Sequence, residues 1–152
     1  MHMPLHRSHL ALIAVAAVLL TAGCGEDRLS RAEFVSQTEP ICQEVESAKT
    51  KVGAPDLSSA EAQRAARRLD PLLRRATDRL RALRPPQELA GNHDSLVRNA
   101  EDRRRHYGDL AAALDRDDQP AIQMAVLDIG DDDRRQAELA RRMGLRGCIP
   151  LT

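Results

Sequence analysis

The sequence is poor in aromatic residues: it has one phenylalanine, one tyrosine and no tryptophan. The core must therefore be built from leucine, isoleucine, valine and alanine, which bury less apolar area per residue than aromatic side chains do. No segment alternates polar and apolar residues with the period of a strand, and no repeat of solenoid length is present. The longest apolar run, residues 10–20, has 11 residues, whereas a membrane-spanning helix needs about 20.

Several motifs that carry chemistry are also missing. The sequence has no G-x-S-x-G nucleophile elbow, no C-x-x-C-H haem attachment motif and no Glu-x-x-His pair of the kind that holds metals in carboxylate bundles. The stretch from Asp115 to Asp118 lacks the alternation and the glycine of an EF-hand loop. The 23 basic and 23 acidic residues balance, which argues against a nucleic-acid-binding protein. We therefore expect no cofactor and no nucleic-acid partner.

The first 24 residues have the layout of an export signal. Arg7 precedes the apolar run, whose 11 residues suit a signal-peptide core, and small residues precede Cys24. This arrangement resembles the lipobox of bacterial lipoproteins, although Thr21 stands where leucine is usual. The resemblance implies that residues 1–23 are a signal peptide and that Cys24 becomes a lipid-bearing first residue of the mature protein. The alternative is an ordinary secretory signal cut near Ala22.

The remaining cysteines fit an exported protein. A lipid on Cys24 predicts attachment to the outer face of the cytoplasmic membrane, with residues 24–29 as a short tether and residues 30–152 as one domain. Cys42 and Cys148 are then left, an even number in an oxidising compartment, so we predict that they form a disulfide. Two buried, unpaired thiols are the alternative.

The first two helices are predicted from capping boxes and apolar spacing. Ser30 and Glu33 form a box at the start of the first helix, and Ser58 and Glu61 form a second box before a helix at about residues 60–83. Apolar residues recur at steps of three and four in both segments, which is typical of helices with one buried face.

The third and fourth helices complete the pattern. The third, at about residues 87–115, has the clearest row of residues at steps of three and four along one face, which we call its seam. The fourth begins near Pro120 and ends at Gly144. The third seam consists of Leu89, His93, Leu96, Ala100, Arg103, Tyr107, Leu110 and Leu114. The fourth helix is expected to bury Ile122, Val126, Ile129, Ala137, Ala140 and Met143.

We therefore predict an all-α domain whose four helices form an antiparallel bundle in up-down-up-down order. Pro40 and Pro71 lie inside the first and second helices and predict a kink or a restart at each. In this topology, Cys42 and Cys148 meet only if the C-terminal tail folds back along the first helix, or if that helix breaks at Pro40.

Several short segments follow one another in a recognisable order. They are the lipobox, Ser30-Arg31-Ala32-Glu33-Phe34-Val35 followed by Ile41-Cys42, Leu83-Arg84-Pro85-Pro86, and Gly144-Leu145 with Cys148. Together they resemble small helical lipoproteins and secreted proteins of high-GC Gram-positive bacteria. The resemblance implies a helical fold, a disulfide and an extracytoplasmic location. It implies no functional residues, because this family has no assigned activity.

Candidate metal ligands and catalytic residues are few. Asp102, His106 and Asp109 share one face of the third helix, and His93 lies on its seam. We interpret the first three as a hydrated polar face and His93 as a buried, hydrogen-bonded histidine. The consecutive His93-Asp94-Ser95 cannot form a hydrolytic triad, because neighbours on a helix point about 100° apart. We predict no catalytic residue and no metal.

Charge is distributed unevenly between the second and third helices. Residues 60–84 contain eight arginines and three acids, and residues 87–118 contain five arginines and eight acids, so the two helices would attract each other. We interpret most of these charges as ion pairs on a solvated surface. The functional alternative is an arginine face that contacts anionic lipid or wall polymer. That face consists of Arg64, Arg67, Arg68, Arg74 and Arg75.

The sequence thus predicts a lipid-anchored, extracytoplasmic helical-bundle protein that is not an enzyme and acts through a protein partner or the cell envelope. The alternative is a bundle that binds a small ligand or a metal through His93 and His106. Only the alternative predicts a higher melting temperature when a metal, haem or an acyl ligand is added.

Overall fold

The computed structural model describes residues 27–52 and 60–150, and every regular element in these ranges is helical. Helix α1 spans Arg31–Val52, α2 spans Ala60–Ala82, α3 spans Ala90–Asp115 and α4 spans Gln119–Met143. Short 3-10 turns, Gln87–Leu89 and Arg146–Cys148, precede α3 and follow α4. The all-α prediction is confirmed for these residues. None of the described helices combines the length and the apolar content needed to cross a membrane.

Some predictions concern residues outside the described ranges. They are the signal peptide of residues 1–23, the lipid on Cys24 and the part of the second capping box contributed by Ser58. These three remain predictions.

Helix α1 begins at the predicted capping box. The Glu33 carboxylate accepts hydrogen bonds from Ser30 Oγ at 2.6 Å and from the Ser30 backbone N–H at 2.8 Å. The Glu33 backbone N–H donates to Ser30 Oγ at 3.3 Å. The hydroxyl bond, and then the backbone bond, lower the pKa of Glu33, because both stabilise the ionised carboxylate. The box also satisfies backbone donors that have no partner within the helix.

Neither proline interrupts its helix. Helix α1 continues through Pro40 and α2 continues through Pro71, so the predicted alternative of a restart does not occur. A proline inside a helix leaves the carbonyl four residues earlier without its usual donor. Pro40 and Ser36 are both exposed, so the freed carbonyl of Ser36 lies on the solvent side of α1.

Helix α4 begins and ends close to the predicted residues. The Asp118 carboxylate accepts a hydrogen bond from the Ala121 N–H at 3.2 Å and caps the first turn. Gly144 has a φ of 76°, the left-handed conformation that favours glycine. The next residue, Leu145, donates its N–H to the Ala140 carbonyl at 2.9 Å, which satisfies a carbonyl of the last turn.

The core of the described residues is mainly aliphatic and consists of two clusters. The larger joins all four helices and the C-terminal turn around Phe34, Leu96 and Met143. The smaller lies around Leu110 and Ile122, toward the connection between α3 and α4. The predicted seam of α3 is confirmed, since all eight of its residues are buried or half-buried.

On α4, one core prediction is wrong. Val126 is exposed, and its neighbour Ala125 is buried. Consecutive residues on a helix point about 100° apart, so only one of the two can face the core. Met124 and Leu127 are exposed as well, at 66% and 69%. This half of α4 therefore presents apolar side chains to solvent.

The C-terminal tail explains how the two cysteines meet. Helix α3 packs against α2 and α4, while α1 packs against α2 and the C-terminal turn. After α4 the tail returns along α1, where the Gly147 N–H donates to Glu39 Oε1 at 3.1 Å. Cys42 and Cys148 form the predicted disulfide, and both are buried. Of the two predicted ways in which the cysteines could meet, the structure shows the tail folded back along α1 and no break of α1 at Pro40.

Candidate functional site

Charged side chains, two of them buried and two half-buried, lie where α1, α3 and α4 meet. Glu46 and Lys49 come from α1, Arg103 from α3 and Asp133 from α4, and we call these four residues the internal charge cluster. Glu46 and Arg103 are each only 4% exposed. A single charge at such a position would be strongly disfavoured, so each member depends on its oppositely charged partners.

Each cation of the cluster contacts both anions. Arg103 Nη1 lies 3.1 Å from Asp133 Oδ1 and 3.4 Å from Glu46 Oε1. Lys49 Nζ lies 3.0 Å from Asp133 Oδ2 and 3.2 Å from Glu46 Oε2. Two positive and two negative charges cancel within the cluster, and their contacts connect three helices.

The helical spacing of the sequence brings these residues together. Arg103 continues the α3 seam between Ala100 and Tyr107. On α1, Glu46 lies one turn after the buried Cys42, and Lys49 follows within another turn. The cluster therefore occupies core positions of α1 and α3 that an apolar residue would otherwise fill.

A histidine–carboxylate pair links α3 and α4 next to the cluster. His106 Nδ1 lies 2.7 Å from Asp132 Oδ2, and Asp132 is 1% exposed. Asn99 Nδ2 donates to the Asp132 backbone carbonyl at 3.2 Å. The Asp132 carboxylate accepts in this pair, so Nδ1 of His106 is the donor. This arrangement orients the imidazole and holds it against α4.

Two buried atoms in this region, Asn99 Oδ1 and Arg103 Nε, have no hydrogen-bond partner among the residues that the structure describes. An orphaned buried polar atom costs about 1–3 kcal/mol. A void of about 10 Å³ is lined by Arg103, Gln136 and Thr77 together with apolar residues of the larger core cluster. Its volume is close to the minimum for one water molecule, so no larger ligand fits there.

Tyr107 lies where the two apolar clusters meet and faces the charge cluster. Burial raises the pKa of its phenol to about 12, and the positive charge of Arg103 opposes this shift. The negative charges of Asp133 and Glu46 add to the rise.

We expect the phenolate of Tyr107 to form near pH 12 in the folded protein. Since the chain has one tyrosine, ultraviolet absorbance reports this residue alone. In the unfolded chain the phenol ionises near pH 10. The stabilisation from the buried neutral phenol is therefore complete below about pH 10 and is lost as the pH rises toward 12. The same titration in denaturant is the control. A transition near pH 10 with the helices intact would contradict the burial of Tyr107.

His93 is a structural residue, as the sequence predicts. Its Nε2 donates to the Leu80 carbonyl at 2.8 Å, in the last turn of α2, and the same carbonyl accepts the Leu83 N–H at 3.1 Å. The ring also meets Phe34 edge to face, with centroids 5.6 Å apart. Ser95 Oγ donates to the Gly91 carbonyl at 2.9 Å, so the serine points to its own helix and not to His93.

The structure does not bring the predicted metal candidates together. His93 and His106 are thirteen residues apart on α3, which corresponds to about 20 Å. Asp102 binds Arg105 at 2.9 Å, and Asp109 is exposed. Within the described ranges, no group of three or more histidine, cysteine, aspartate or glutamate side chains is placed to hold a metal ion. Within the described residues, a metal ion bound by histidine would therefore contact His93 or His106 and not both.

The five arginines predicted as one face are divided by the structure. Arg67 binds Asp115 of α3, and this pair lowers the pKa of Asp115 and raises that of Arg67. Arg74 lines an open groove between α2 and α3 that also contains acidic residues. The remaining three are exposed and make no ion pair with any residue in the described part of the chain. They are Arg64, Arg68 and Arg75.

Most of the buried polar residues cannot be recognised from an apolar pattern alone. The ones that sequence reasoning missed are Thr38, Glu46, Thr77, Asn99, Asp132 and Gln136. Helical spacing carries a usable signal, because Asp132 lies three residues after the half-buried Ile129 and Gln136 lies one turn after Asp132. A polar residue that continues a seam is therefore a candidate for burial.

No protein-family model matches the sequence, and neither curated proteins nor solved structures give a match. The function must therefore be inferred from the residues and their arrangement.

Proposed function

We propose that this is a lipid-anchored, extracytoplasmic helical-bundle protein that acts through contacts with the cell envelope or a protein partner and not as an enzyme. The observation that carries the proposal is the buried disulfide between Cys42 and Cys148. Structural disulfides form and persist mainly in oxidising compartments outside the cytosol. This supports export by the signal-like segment and leaves Cys24 as the thiol for lipid attachment.

In this proposal the helices form an antiparallel bundle in up-down-up-down order, bent at the two internal prolines. Ion pairs support the opposite directions of α2 and α3. Arg67, early in α2, binds Asp115 at the end of α3, whereas Arg81, at the end of α2, binds Glu101, which lies earlier in α3. The tight connection between α3 and α4 is consistent with a second antiparallel pair.

The attachment of the tether supports a position close to the membrane. The Leu29 N–H donates to the Arg84 carbonyl at 2.8 Å, and Arg28 Nη1 donates to the Pro85 carbonyl at 3.4 Å. Cys24 lies five residues before Leu29, so an extended chain places it within about 17 Å of this contact. A lipid on Cys24 would therefore hold the start of α1 and the end of α2 near the bilayer.

Contacts, rather than catalysis, fit the distribution of polar groups. His93 is bonded to the α2 backbone, and the internal charge cluster neutralises itself inside the fold. The exposed features are arginines on α2 and apolar side chains on α4. Such features suit association with a surface or a partner.

The mass and location of the mature protein test the proposal. Expressed with its own signal in a bacterium that acylates lipoproteins, the protein should begin at Cys24, carry diacylglycerol and at least one further acyl chain, and fractionate with membranes. The Cys24→Ser variant should be exported without lipid and should leave the membrane fraction.

The Cys42→Ser variant is the matched control, because it removes a cysteine that the proposal assigns to the disulfide. It should keep its lipid and its membrane location. An unmodified Cys24, or a Cys24→Ser variant that stays with the membrane after a salt wash, would contradict the proposed anchor.

A further inference from the structure

Three arginines form a row on the outer surface of α2. Arg64, Arg68 and Arg75 are exposed. At 3.6 residues per turn they point within about 40° of one another, and at 1.5 Å per residue they extend over about 16 Å. We call these three residues the arginine row.

Apart from Arg74, which lines the groove that also contains Asp70, Asp78 and Glu101, the row arginines are the ones on α2 without an acidic partner among the described residues. On one side of it, Arg79 binds Glu44 of α1 at 2.7 Å. On the other side, Arg67 binds Asp115 of α3. No row arginine has an acidic partner within residues 27–52 and 60–150, and the nearby Glu61 makes no ion pair with the row. The positive charge of the row is thus available to an outside partner.

We propose that the arginine row binds phosphate groups of anionic phospholipids in the membrane that holds the lipid anchor. The inference rests on the proposed function, because the lipid on Cys24 would bring α2 to the bilayer. Guanidinium groups suit this partner, since each presents several donors that match the oxygens of a phosphate.

The position of the tether favours lipid over wall polymer as the partner. The bond from Leu29 to Arg84 joins the tether to the chain just after α2, so a lipid on Cys24 would lie near this end of α2. Helix α2 has 23 residues and is about 34 Å long. A domain that lies with α2 along the membrane therefore places the whole row at the depth of the headgroups, while the short tether limits its reach beyond the bilayer.

Binding of the unacylated protein to vesicles tests the proposal. The mature chain from residue 24, with Cys24→Ser, should sediment with phosphatidylcholine vesicles that contain phosphatidylglycerol and not with vesicles of phosphatidylcholine alone. Binding should be strong at about 0.01 M salt and lost at about 1 M, as the screening length falls from about 30 Å to about 3 Å. The triple variant R64Q/R68Q/R75Q should bind about 100-fold more weakly.

A second triple variant controls for total charge. Arg116, Arg141 and Arg146 are also exposed and make no ion pair within the described residues, so R116Q/R141Q/R146Q removes the same charge elsewhere. It should weaken binding only a few-fold. The variant R64K/R68K/R75K should retain most of the binding. Circular dichroism should show unchanged helicity in all three, because surface substitutions rarely affect stability.

Three results would overturn the inference. They are no binding to phosphatidylglycerol vesicles at low salt, equal losses in the two glutamine variants, and binding to isolated cell-wall polymer but not to vesicles. The experiment uses a chain without lipid, so its outcome is independent of whether Cys24 is acylated in the cell. A failed anchor and a failed arginine row can thus be told apart.

Discussion

Removing the disulfide is expected to lower the free energy of unfolding by about 4 kcal/mol. Cys42 and Cys148 are separated by 106 residues, and closing a loop of about 100 residues restricts the unfolded chain by about 4.7 kcal/mol in the chain-entropy model. The variant C42A/C148A leaves no free thiol at either position. Denaturant unfolding followed by circular dichroism measures the change. With total stabilities of about 5–15 kcal/mol, such a loss would leave a marginal domain.

Chemical reduction provides the matched comparison. The reduced wild-type protein should unfold at nearly the same denaturant concentration as C42A/C148A, and the oxidised protein at a much higher one. The slope of the transition should also change, because the bond makes the unfolded state more compact. Equal midpoints for the oxidised and reduced proteins would show that the bond does not stabilise the fold.

Replacing Arg103 with methionine is expected to lower the free energy of unfolding by about 3 kcal/mol. The substitution removes one of the two cations that contact the buried Glu46 within the described residues, and Lys49 is the one that stays. Removing one partner of a buried ion pair typically costs about 3–5 kcal/mol, because the other charge stays buried without full compensation. Thermal or denaturant unfolding of Arg103→Met measures the loss.

The neighbouring Arg104 supplies the control. It binds Asp70 on the surface at 3.3 Å, and both side chains are about half exposed, so Arg104→Met should change stability by less than about 1 kcal/mol. Adding Glu46→Gln to Arg103→Met should recover part of the loss, because the uncompensated charge disappears. Equal effects of the two methionine variants would contradict a stabilising role for the internal charge cluster.

The pattern of α3 shows how much of this fold can be predicted from sequence. Its steps of three and four residues correctly place His93 and Arg103 in the core, although both are polar, because the spacing follows from helix geometry and not from residue type. The disulfide follows from the even number of cysteines left once Cys24 is assigned to lipid. The capping box at Ser30 identifies the start of α1 because its bonds are local.

Long-range geometry explains what the sequence could not predict. The sequence pattern does not reveal that Glu46 is a core residue, because its burial depends on Arg103, 57 positions later in the chain. The division of the arginine face depends on which acids of α1 and α3 reach α2, as the pair of Arg67 and Asp115 shows. The separation of His93 from His106 could have been calculated, since both lie on one helix.

The order of the chain determines when the disulfide can close. Cys148 follows α4, so all four helices have been synthesised before its thiol can reach Cys42. Noncovalent contacts also hold the described part of the tail in place, among them Gly147 N–H to Glu39, and Gln136 Nε2 to the Cys148 carbonyl at 2.7 Å. A chain whose helices have assembled therefore presents these two thiols side by side, so oxidation of the folded domain would give the native pair.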